Sequence, residues 1–349
     1  MNLDGANILV TGGTGSFGNE FVARLLAEHN PERVIVFSRD ELKQFQMRQK
    51  FPVADFPKLR MFLGDVRDKE RLFRIMDGVD IVVHAAALKQ IPAAELNPLE
   101  AIKTNIIGAA NIVDAALERK VSKVIGLSTD KAANPVNLYG ATKLCSDKLL
   151  VAANGTGLHD TQFSIVRYGN VVGSRGSVIP YFLAQRSTGT LTITDSRMTR
   201  FLITLKRSVD FVLDCLDIML GGEIFVSKIP SATVTQLATV IAPECEQQFI
   251  GIRPGEKLHE MMISEDDARM TIEFDRHYVI QPTHSFWNPK DFLEGHSGVS
   301  CPEDFRYSSD KNDWWLTDEE VSALVETVKT GHGEFIPPLA TEPKFIVGG

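Results

Sequence analysis

The stretch TGGTGSFG, residues 11–18, decides the fold that this sequence predicts. It follows a short apolar run at residues 8–10 and leads into an amphipathic pattern at residues 18–28. Glycines at such a junction let the backbone approach a pyrophosphate, which then meets the positively polarised amino end of the helix. The sequence therefore predicts a dinucleotide-binding turn, and a merely structural glycine turn is the alternative.

The glycine spacing in this turn fits two motifs. Gly13, Gly15 and Gly18 satisfy G-x-G-x-x-G, which is weak evidence by itself and stronger between a strand and a helix. Gly12, Gly15 and Gly18 also give the G-x-x-G-x-x-G spacing of short-chain dehydrogenases. Both motifs indicate a nucleotide cofactor.

Short apolar runs alternate with helical patterns through the first half of the chain. This alternation predicts an α/β fold, a Rossmann-type doubly wound parallel sheet that binds ligands at the carboxyl ends of its strands. The predicted strands are residues 8–10, 34–37, 60–63, 81–84, 124–127 and 164–167. The predicted helices are residues 18–28, 69–76, 98–119 and 139–153.

The rhythm changes after residue 167, where Gly, Pro and Arg become frequent. We therefore expect an NADP-binding Rossmann domain at residues 1–168, with a further helix near 206–220. Residues 169–205 and 221–349 should form a smaller, interleaved C-terminal substrate domain. No chemistry is assigned to the tail after Gln281.

Composition excludes several classes of function. The 349 residues carry a net charge of −8, which argues against a broad nucleic-acid-binding surface. The four cysteines form no C-x-x-C pair, and Ile263 replaces the second histidine of an H-E-x-x-H pattern that begins at His259, so we expect no metal. No apolar run approaches the roughly 18 residues of a membrane helix, and no targeting segment is visible. We expect a cytoplasmic protein.

The end of the second predicted strand bears on the choice of cofactor. An NAD enzyme usually places an acidic residue there for the ribose hydroxyls. Here Ser38 and Arg39 come first and Lys43 follows one turn later, a cationic setting that favours the 2′-phosphate of NADP. The alternative is a set of solvated charges that begins a helix.

Tyr139 and Lys143, four residues apart, share one face of a predicted helix. We expect the charge of Lys143 to lower the pKa of the phenol, so that Tyr139 can accept the proton of a substrate hydroxyl while hydride passes to the cofactor. Thr129, just upstream, supplies a hydroxyl that steadies the substrate oxygen. These three residues would form the dehydrogenase triad.

Asp130 and Lys131 add an acid and a base that a plain dehydrogenase does not need. Once carbon 4 of a sugar is oxidised to a ketone, a base can remove the proton from carbon 5 while an acid helps water leave from carbon 6. The pair therefore predicts a 4,6-dehydratase. A surface salt bridge that caps a loop is the alternative.

Six motifs together resemble one family. TGGTGSFG, SRDELK, HAAALK, LSTDKAANPVNLYGATK, RYGNVVGSRGSV and IRPGEKLHE are similar to those of the inverting UDP-N-acetylglucosamine 4,6-dehydratases that open pseudaminic acid biosynthesis. The likeness spans about residues 5 to 285. It implies Lys131 as the base at carbon 5 and Asp130 as the acid at carbon 6, beside the Thr129, Tyr139 and Lys143 triad. Retaining relatives carry a Glu where this chain has Lys131.

The resemblance also implies the residues that contact the two ligands. With the motif glycines, the NADP set is Gly12, Thr14, Gly15, Ser16, Phe17, Gly18, Ser38, Arg39, Asp40, Glu41, Leu42, Lys43, Asp65, Val66, Ala85, Lys89, Tyr139 and Lys143. The UDP-sugar set is Lys89, Asn170, Val171, Arg175, Thr194, Arg253 and Glu256. Arg175 and Arg253 suit a pyrophosphate through forked, charge-assisted hydrogen bonds. Arg175 in an inter-domain salt bridge and Asn170 as a turn cap are the alternatives.

Three other functions remain open at this point. A nucleotide-sugar 4-epimerase shares the fold and the triad, a retaining 4,6-dehydratase shares the water loss, and an NADP-sensing binding protein shares the fold alone. The resemblance suggests dimers assembled into hexamers. The sequence does not say which glycan receives the sugar, whether flagellin, capsule or lipopolysaccharide.

Overall fold

The computed structural model describes residues 3–156, 160–174, 176–283 and 298–330. Its strands are, in chain order, β1 (Asn7–Thr11), β2 (Arg33–Ser38), β3 (Leu59–Leu63), β4 (Ile81–His84), β5 (Lys123–Thr129), β6 (Gln162–Tyr168), β7 (Asn170–Val171), β8 (Thr190–Ile193), β9 (Thr199–Ile203), β10 (Ile224–Ser227), β11 (Ser231–Thr233), β12 (Glu246–Phe249), β13 (Met261–Ile263), β14 (Thr271–Glu273), β15 (His277–Ile280), β16 (Val299–Ser300) and β17 (Tyr307–Ser308).

The α-helices lie between these strands and cover the sheets. They are α1 (Ser16–Glu28), α2 (Glu41–Lys50), α3 (Lys69–Ile75), α4 (Ile91–Leu96), α5 (Pro98–Ile102), α6 (Gly108–Glu118), α7 (Leu138–Ala153), α8 (Val178–Gln185), α9 (Leu205–Ile218), α10 (Val234–Ile241), α11 (Glu265–Ala268) and α12 (Asp318–Lys329). None of the described helices has both the length and the apolar character that a membrane span requires.

The central sheet runs in the order β3-β2-β1-β4-β5-β6-β10-β15-β14-β16. The seven strands from β3 to β10 pair in parallel, and the last three pair antiparallel. Every residue of β4 is buried, as are four of the five residues of β1, because helices cover both faces of the sheet. The predicted doubly wound α/β fold is confirmed, and all six predicted strands are present.

The predicted helix at 98–119 is interrupted. α5 and α6 are separated by one π-helical stretch, Lys103–Ile107, which adds a residue to the turn. The buried Asn105 accepts a hydrogen bond from the backbone nitrogen of Leu88 and donates to the Leu88 carbonyl and to the hydroxyl of Thr142. The bulge thus turns a polar side chain inward, where it ties the loop after β4 to α7.

A second core lies beside the main one. It is built on two small sheets, β11-β9-β7 and β12-β8, with α8, α10 and α12 packed around them. The structure also shows that β10 pairs with β6 in the central sheet, with Phe225 and Val226 fully buried in its core, although the sequence analysis placed residues 221–349 in the smaller domain. β14, β15 and β16 extend the same sheet. The domain boundaries themselves stay a prediction.

The strand order reverses direction between β1 and β4. β2 and β3 lie on one side of β1, whereas β4, β5 and β6 lie on the other. A crevice forms at such a point outside the carboxyl ends of the strands, because the connecting segments leave in opposite directions. The fold therefore places the glycine turn after β1 and the Thr129 segment after β5 at one edge of the sheet.

Candidate active site

A cleft of about 990 Å³ opens at this edge of the sheet. Most residues that the sequence assigned to the cofactor, the substrate or catalysis line it. They are Gly12, Thr14, Gly15, Ser16, Phe17, Gly18, Ser38, Arg39, Asp40, Lys43, Asp65, Val66, Ala85, Lys89, Thr129, Lys131, Tyr139, Lys143, Asn170, Val171, Arg253 and Glu256. Residues predicted to contact the cofactor, to bind the substrate and to act in catalysis therefore line one cleft.

Four of the assigned residues that the structure describes do not line the cleft, and a fifth cannot be compared. Glu41 and Leu42 lie in the first turn of α2, where both are exposed, Leu42 by 64%. Thr194 lies in the smaller lobe, and its hydroxyl is 2.9 Å from the sulfur of Met198. Asp130 is buried behind the cleft wall, and Arg175 lies outside the described residues.

The glycine turn fits a pyrophosphate. Gly12 has φ of +65°, and a Cβ there would lie 2.8 Å from the backbone nitrogen of Ala86. A Cβ on Gly18 would lie 2.4 Å from Gly13, so only glycine allows α1 to pack this closely on the turn. No side chain caps the amino end of α1 at Gly15, and its first turn carries no acidic residue. These backbone amides and the helix dipole favour a bound anion.

The end of the cleft beside Ser38 is lined by two cationic side chains, Arg39 and Lys43. The buried side chain of Gln44 donates to the hydroxyl of Ser38, 3.0 Å away. The guanidinium of Arg39 lies 3.5 Å from Asp65, and the ammonium of Lys43 lies 3.3 Å from Asp40. Both cations remain partly exposed on the cleft wall. Both cations are thus paired with carboxylates on the wall of the cleft.

The start of α7 sets the position of Tyr139. Asn137 caps the helix by accepting a hydrogen bond of 2.8 Å from the backbone nitrogen of Gly140. A Cβ on Gly140 would lie 2.2 Å from the carbonyl oxygen of Lys131, so the first turn of α7 rests directly on the turn that follows β5. This contact holds Tyr139 and Lys131 in fixed relation.

Burial raises the pKa of Tyr139 to about 12. The charge of Lys131 and hydrogen bonding with Thr129 act in the opposite direction, while the charge of Asp130 raises the pKa further. The sequence analysis expected Lys143 to lower this pKa, whereas the largest lowering influence in the structure is Lys131. Burial lowers the pKa of Lys143 itself, and the charge of Asp147 opposes that change.

Three ionisable side chains, those of Asp130, Lys131 and Glu260, meet beside Thr129. The ammonium nitrogen Nζ of Lys131 lies 3.0 Å from Oδ1 of Asp130 and 3.2 Å from Oε1 of Glu260. Oδ1 of Asp130 also accepts a 2.9 Å hydrogen bond from the hydroxyl of Thr129. The Asp130 side chain has no exposed surface, whereas the Lys131 side chain is 20% exposed and lines the cleft. Lys131 therefore stands between the cleft and two carboxylates.

The pKa shifts follow from this geometry. Burial raises the pKa of Asp130, and the charge of Glu260 adds to the rise, against the opposing charge of Lys131. Burial lowers the pKa of Lys131, but the charges of Asp130 and Glu260 outweigh it and leave the pKa raised. The pKa of Glu260 is lowered, because Lys131 and Arg200 outweigh the effect of burial. This arrangement favours the ammonium form of Lys131.

Sequence reasoning missed Glu260, which it noted only as part of a failed metal motif. Its backbone nitrogen donates to the hydroxyl of Ser309 and its carbonyl accepts from the Ser309 nitrogen, at 2.9 and 2.8 Å. The tail, which was assigned no chemistry, thus fixes a carboxylate beside Lys131. One signal could have pointed to it: Glu260 is a charged residue directly before the apolar run Met261–Ile263, a place where burial is expected.

The sequence and the solved structures of other proteins identify the family. A family model described as "Polysaccharide biosynthesis protein" matches residues 8–282. The chain belongs to this family. It is 53% identical to a UDP-N-acetylglucosamine 4,6-dehydratase (inverting) from Campylobacter jejuni, over 91% of this chain and 97% of that protein. The resemblance inferred from the six motifs is therefore confirmed.

Other relatives carry a different activity in their names. A UDP-glucose 4-epimerase from Rickettsia massiliae is 42% identical over 92% of this chain and 95% of its own length. Among solved structures, Pen from Bacillus thuringiensis matches with a TM-score of 0.85 and 34% identity, over 94% of this chain and 99% of that one. Dehydratases of this fold have been solved with NAD bound, so the fold works with a nicotinamide cofactor.

His84 lies beside this site, at the end of β4. Its Nδ1 is 2.8 Å from the hydroxyl of Thr11, and burial, helped by the charge of Lys143, lowers its pKa to about 3. The unfolded chain, with a histidine pKa near 6.5, binds the proton first as the pH falls. His84 therefore stabilises the fold above about pH 6.5, and that contribution is lost as the pH falls toward about 3.

Urea unfolding at pH 7.5 and pH 5.0 checks this expectation in the wild type and in His84→Asn. The wild type should lose about 2 kcal/mol more stability over this interval than the variant, because only the wild type carries the suppressed histidine. All other titrating groups are common to both proteins. Equal losses in the two proteins would contradict a neutral His84 in the fold.

Proposed function

We propose that this protein is an NADP-dependent, inverting UDP-N-acetylglucosamine 4,6-dehydratase, which forms UDP-2-acetamido-2,6-dideoxy-β-L-arabino-hexos-4-ulose. The observation that carries the proposal is the position of Lys131, which projects into the same cleft as Tyr139 and is backed by Asp130. The identity of 53% with a named inverting dehydratase supports it. A bound nicotinamide would accept hydride from carbon 4 and return it at carbon 6.

The first step is oxidation at carbon 4. Tyr139 accepts the proton of the carbon 4 hydroxyl, and Thr129, which hydrogen-bonds with Tyr139, steadies the same oxygen. Lys143 lines the cleft one turn further along α7. The ketone that results makes the carbon 5 proton acidic, and Lys131 removes it.

Asp130 supplies the proton that leaves with the carbon 6 hydroxyl as water. Its side chain is fully covered, so it can reach the sugar only when the Lys131 side chain moves on substrate binding. Thr129 hydrogen-bonds with both Tyr139 and Asp130. The proton that Tyr139 gains at carbon 4 can therefore replace the one that Asp130 loses at carbon 6, and the two groups end the cycle as they began it.

Inversion follows if Lys131 returns a proton to the opposite face of carbon 5. Its long, flexible side chain can act on either face directly or through one water molecule, whereas a glutamate at this position would be shorter. The UDP part would lie along Asn170, Val171, Arg253 and Glu256, which line the cleft. Arg253 suits the pyrophosphate through a forked pair of hydrogen bonds.

The test of this function is incubation of the wild type with UDP-N-acetylglucosamine in deuterated water. The product should be 18 mass units lighter than substrate before deuterium gain, since one water is lost, with solvent deuterium at carbon 5 and protium moved from carbon 4 to carbon 6. Early samples reduced with borohydride should yield L-series sugars. D-series sugars at the earliest times would show a retaining enzyme, and no loss of water would exclude a dehydratase.

A second candidate is a nucleotide-sugar 4-epimerase, which the Rickettsia relatives favour by name. Epimerisation needs the tyrosine and the cofactor but no acid and base at carbons 5 and 6. The cluster of Asp130, Lys131 and Glu260 would then have no chemical role. Formation of UDP-N-acetylgalactosamine, or interconversion of UDP-glucose and UDP-galactose, without loss of water would support the epimerase.

Tyr139→Phe should reduce turnover by about 10²–10⁴-fold, because it removes the proton acceptor at carbon 4. Cofactor affinity should change little, since the phenyl ring keeps the cleft surface. Tyr181→Phe is the matched control: Tyr181 hydrogen-bonds with Thr192 in the smaller lobe and should leave turnover intact. Near-normal turnover of the Tyr139 variant in steady-state assays would refute its role.

Preference for NADP depends in this proposal on Arg39. Arg39→Ala should weaken NADP binding by about 1.5–3 kcal/mol, about 10- to 150-fold, and leave NAD binding nearly unchanged. Arg67→Ala is the matched control, because Arg67 also contacts Asp65, at 2.7 Å, but is not among the described residues that line the cleft. Titration calorimetry with both cofactors measures the effect. Equal weakening of NAD and NADP would mean that Arg39 does not face the 2′-phosphate.

The cellular role is proposed from the family resemblance. The reaction would be the first step of a pseudaminic acid-type pathway, carried out in the cytoplasm by an assembly of several copies of this chain, with hexamers as the form that the resemblance suggests. UDP-N-acetylglucosamine is the partner that the site would bind, without nucleic acid or membrane. Size-exclusion chromatography with light scattering would measure the assembly.

A further inference from the structure

The proposed dehydration requires a group that can accept the proton of the Lys131 ammonium. Lys131 must be a neutral amine to act as the base at carbon 5, yet the acidic groups of Asp130 and Glu260, 3.0 and 3.2 Å from its nitrogen, raise its pKa. Asp130 cannot accept the proton, because as the acid at carbon 6 it has to carry one already. The cluster must therefore contain another acceptor.

We infer that Glu260 takes the proton from the Lys131 ammonium and holds it while Lys131 acts as the base at carbon 5. The inference rests on the proposed dehydration. In this step the N–H bond at Nζ breaks and an O–H bond forms on Oε1 of Glu260, 3.2 Å away. An ammonium and a carboxylate become an amine and a carboxylic acid, both neutral. When the cycle ends, the proton returns to Lys131.

The position of Glu260 suits this role and no contact with the sugar. Its side chain is 4% exposed, and of the two groups only Lys131 is among the described residues that line the cleft. The other carboxylate oxygen, Oε2, is buried with no hydrogen-bond partner among the described residues. Burial disfavours the charge of Glu260, and the charge of Lys131 is the largest of the influences that outweigh it, so the loss of that charge makes a protonated Glu260 easier to form. Glu260 is thus a positioning residue that sets the protonation of Lys131.

The pKa values of Asp130 and Glu260 shift in opposite directions, which suits two different roles. Burial and the charge of Glu260 raise the pKa of Asp130, which favours the protonated form that an acid needs. Glu260 instead has a lowered pKa, because Lys131 and Arg200, whose Nε lies 3.9 Å away, stabilise its charge. These opposite directions favour Glu260 as the acceptor of a proton and Asp130 as the group that carries one.

The charged and titratable groups around Lys131 come from several elements. They lie on the turn after β5, on α7, on β9 and in the segment before β13, and those that the structure describes are Asp130, Tyr139, Arg200, Lys257 and Glu260. Arg200 and Lys257 are cations that stabilise a charged Glu260. Among these groups Asp130 and Glu260 are the two whose carboxyl oxygens contact the nitrogen of Lys131.

The test is the pH dependence of turnover in the wild type and in Glu260→Gln. Internal proton transfer makes wild-type kcat nearly independent of pH between about 6 and 9. In the variant, Lys131 must lose its proton to solvent, so kcat should fall about 10²-fold or more at pH 7 and then rise about tenfold per pH unit. KM for UDP-N-acetylglucosamine should stay within about twofold, because Glu260 does not touch the sugar.

Two further variants separate proton transfer from structure. Glu260→Asp keeps a carboxylate and should show a lower kcat with the flat profile of the wild type. Ser309→Ala removes only the hydroxyl that accepts from the Glu260 backbone, so it should lower the melting temperature without a rise of kcat with pH.

Several results would overturn the inference. Wild-type turnover in Glu260→Gln would mean that Asp130 alone serves Lys131, and a lowered but flat profile would mean that Glu260 is structural. If Glu260→Gln does not fold, the wild-type profile decides: a tenfold rise of kcat per pH unit would show that Lys131 loses its proton to solvent. A wild type that releases no water from UDP-N-acetylglucosamine refutes the proposed function itself, a result that is distinct from all of these.

Discussion

The contact between the Lys131 ammonium and the carboxylates of Asp130 and Glu260 is the interaction on which the active site depends. It joins the turn after β5 to the segment before β13, 129 residues further along the chain. Such a cluster is costly, because each buried charge loses its hydration, and the mutual attraction only offsets that loss. Removal of one partner from a buried pair typically costs about 3–5 kcal/mol, since the remaining charge is left without compensation. Because replacing a buried ion pair with well-packed apolar residues is often neutral or stabilising in proteins, stability alone does not account for this cluster.

Backbone contacts hold this cluster in place. The carbonyl of Lys131 touches the position where Gly140 would carry a Cβ, and Gly140 is the first-turn neighbour of Tyr139. On the other side, Ser309 fixes Glu260 through two backbone hydrogen bonds, and β13 pairs with β17. Contacts from three parts of the chain, at residues 131–140, 260 and 309, therefore hold the acid/base groups of the proposed mechanism in place. A displacement of any one of them changes the distances on which proton transfer depends.

The cofactor end of the site was predictable because its determinants are local. A strand, a glycine turn and a helix adjacent in sequence place Gly12, Gly15 and Gly18 at the cleft, and the i, i+4 spacing places Tyr139 and Lys143 on the side of α7 that lines it. Glu260 could not be placed, since its partner is distant in sequence and no periodicity links the two. The burial of Asp130 was missed for the same reason, because adjacency to a strand end does not say which side chain the cleft wall will cover.

The sequence analysis also misjudged which charge lowers the pKa of Tyr139 most. Spacing along a helix predicts which side chains share a face, but a pKa depends on every charge nearby and on burial. Lys131 reaches Tyr139 from a different element and outweighs the helical neighbour that the motif suggests. In the proposed mechanism Lys131 acts at two stages: its charge favours the tyrosinate that oxidation at carbon 4 would require, and its loss of a proton would make it the base at carbon 5. Oxidation and elimination would then be electrostatically coupled, because a neutral Lys131 no longer favours the tyrosinate, and by that stage Tyr139 would already have taken its proton.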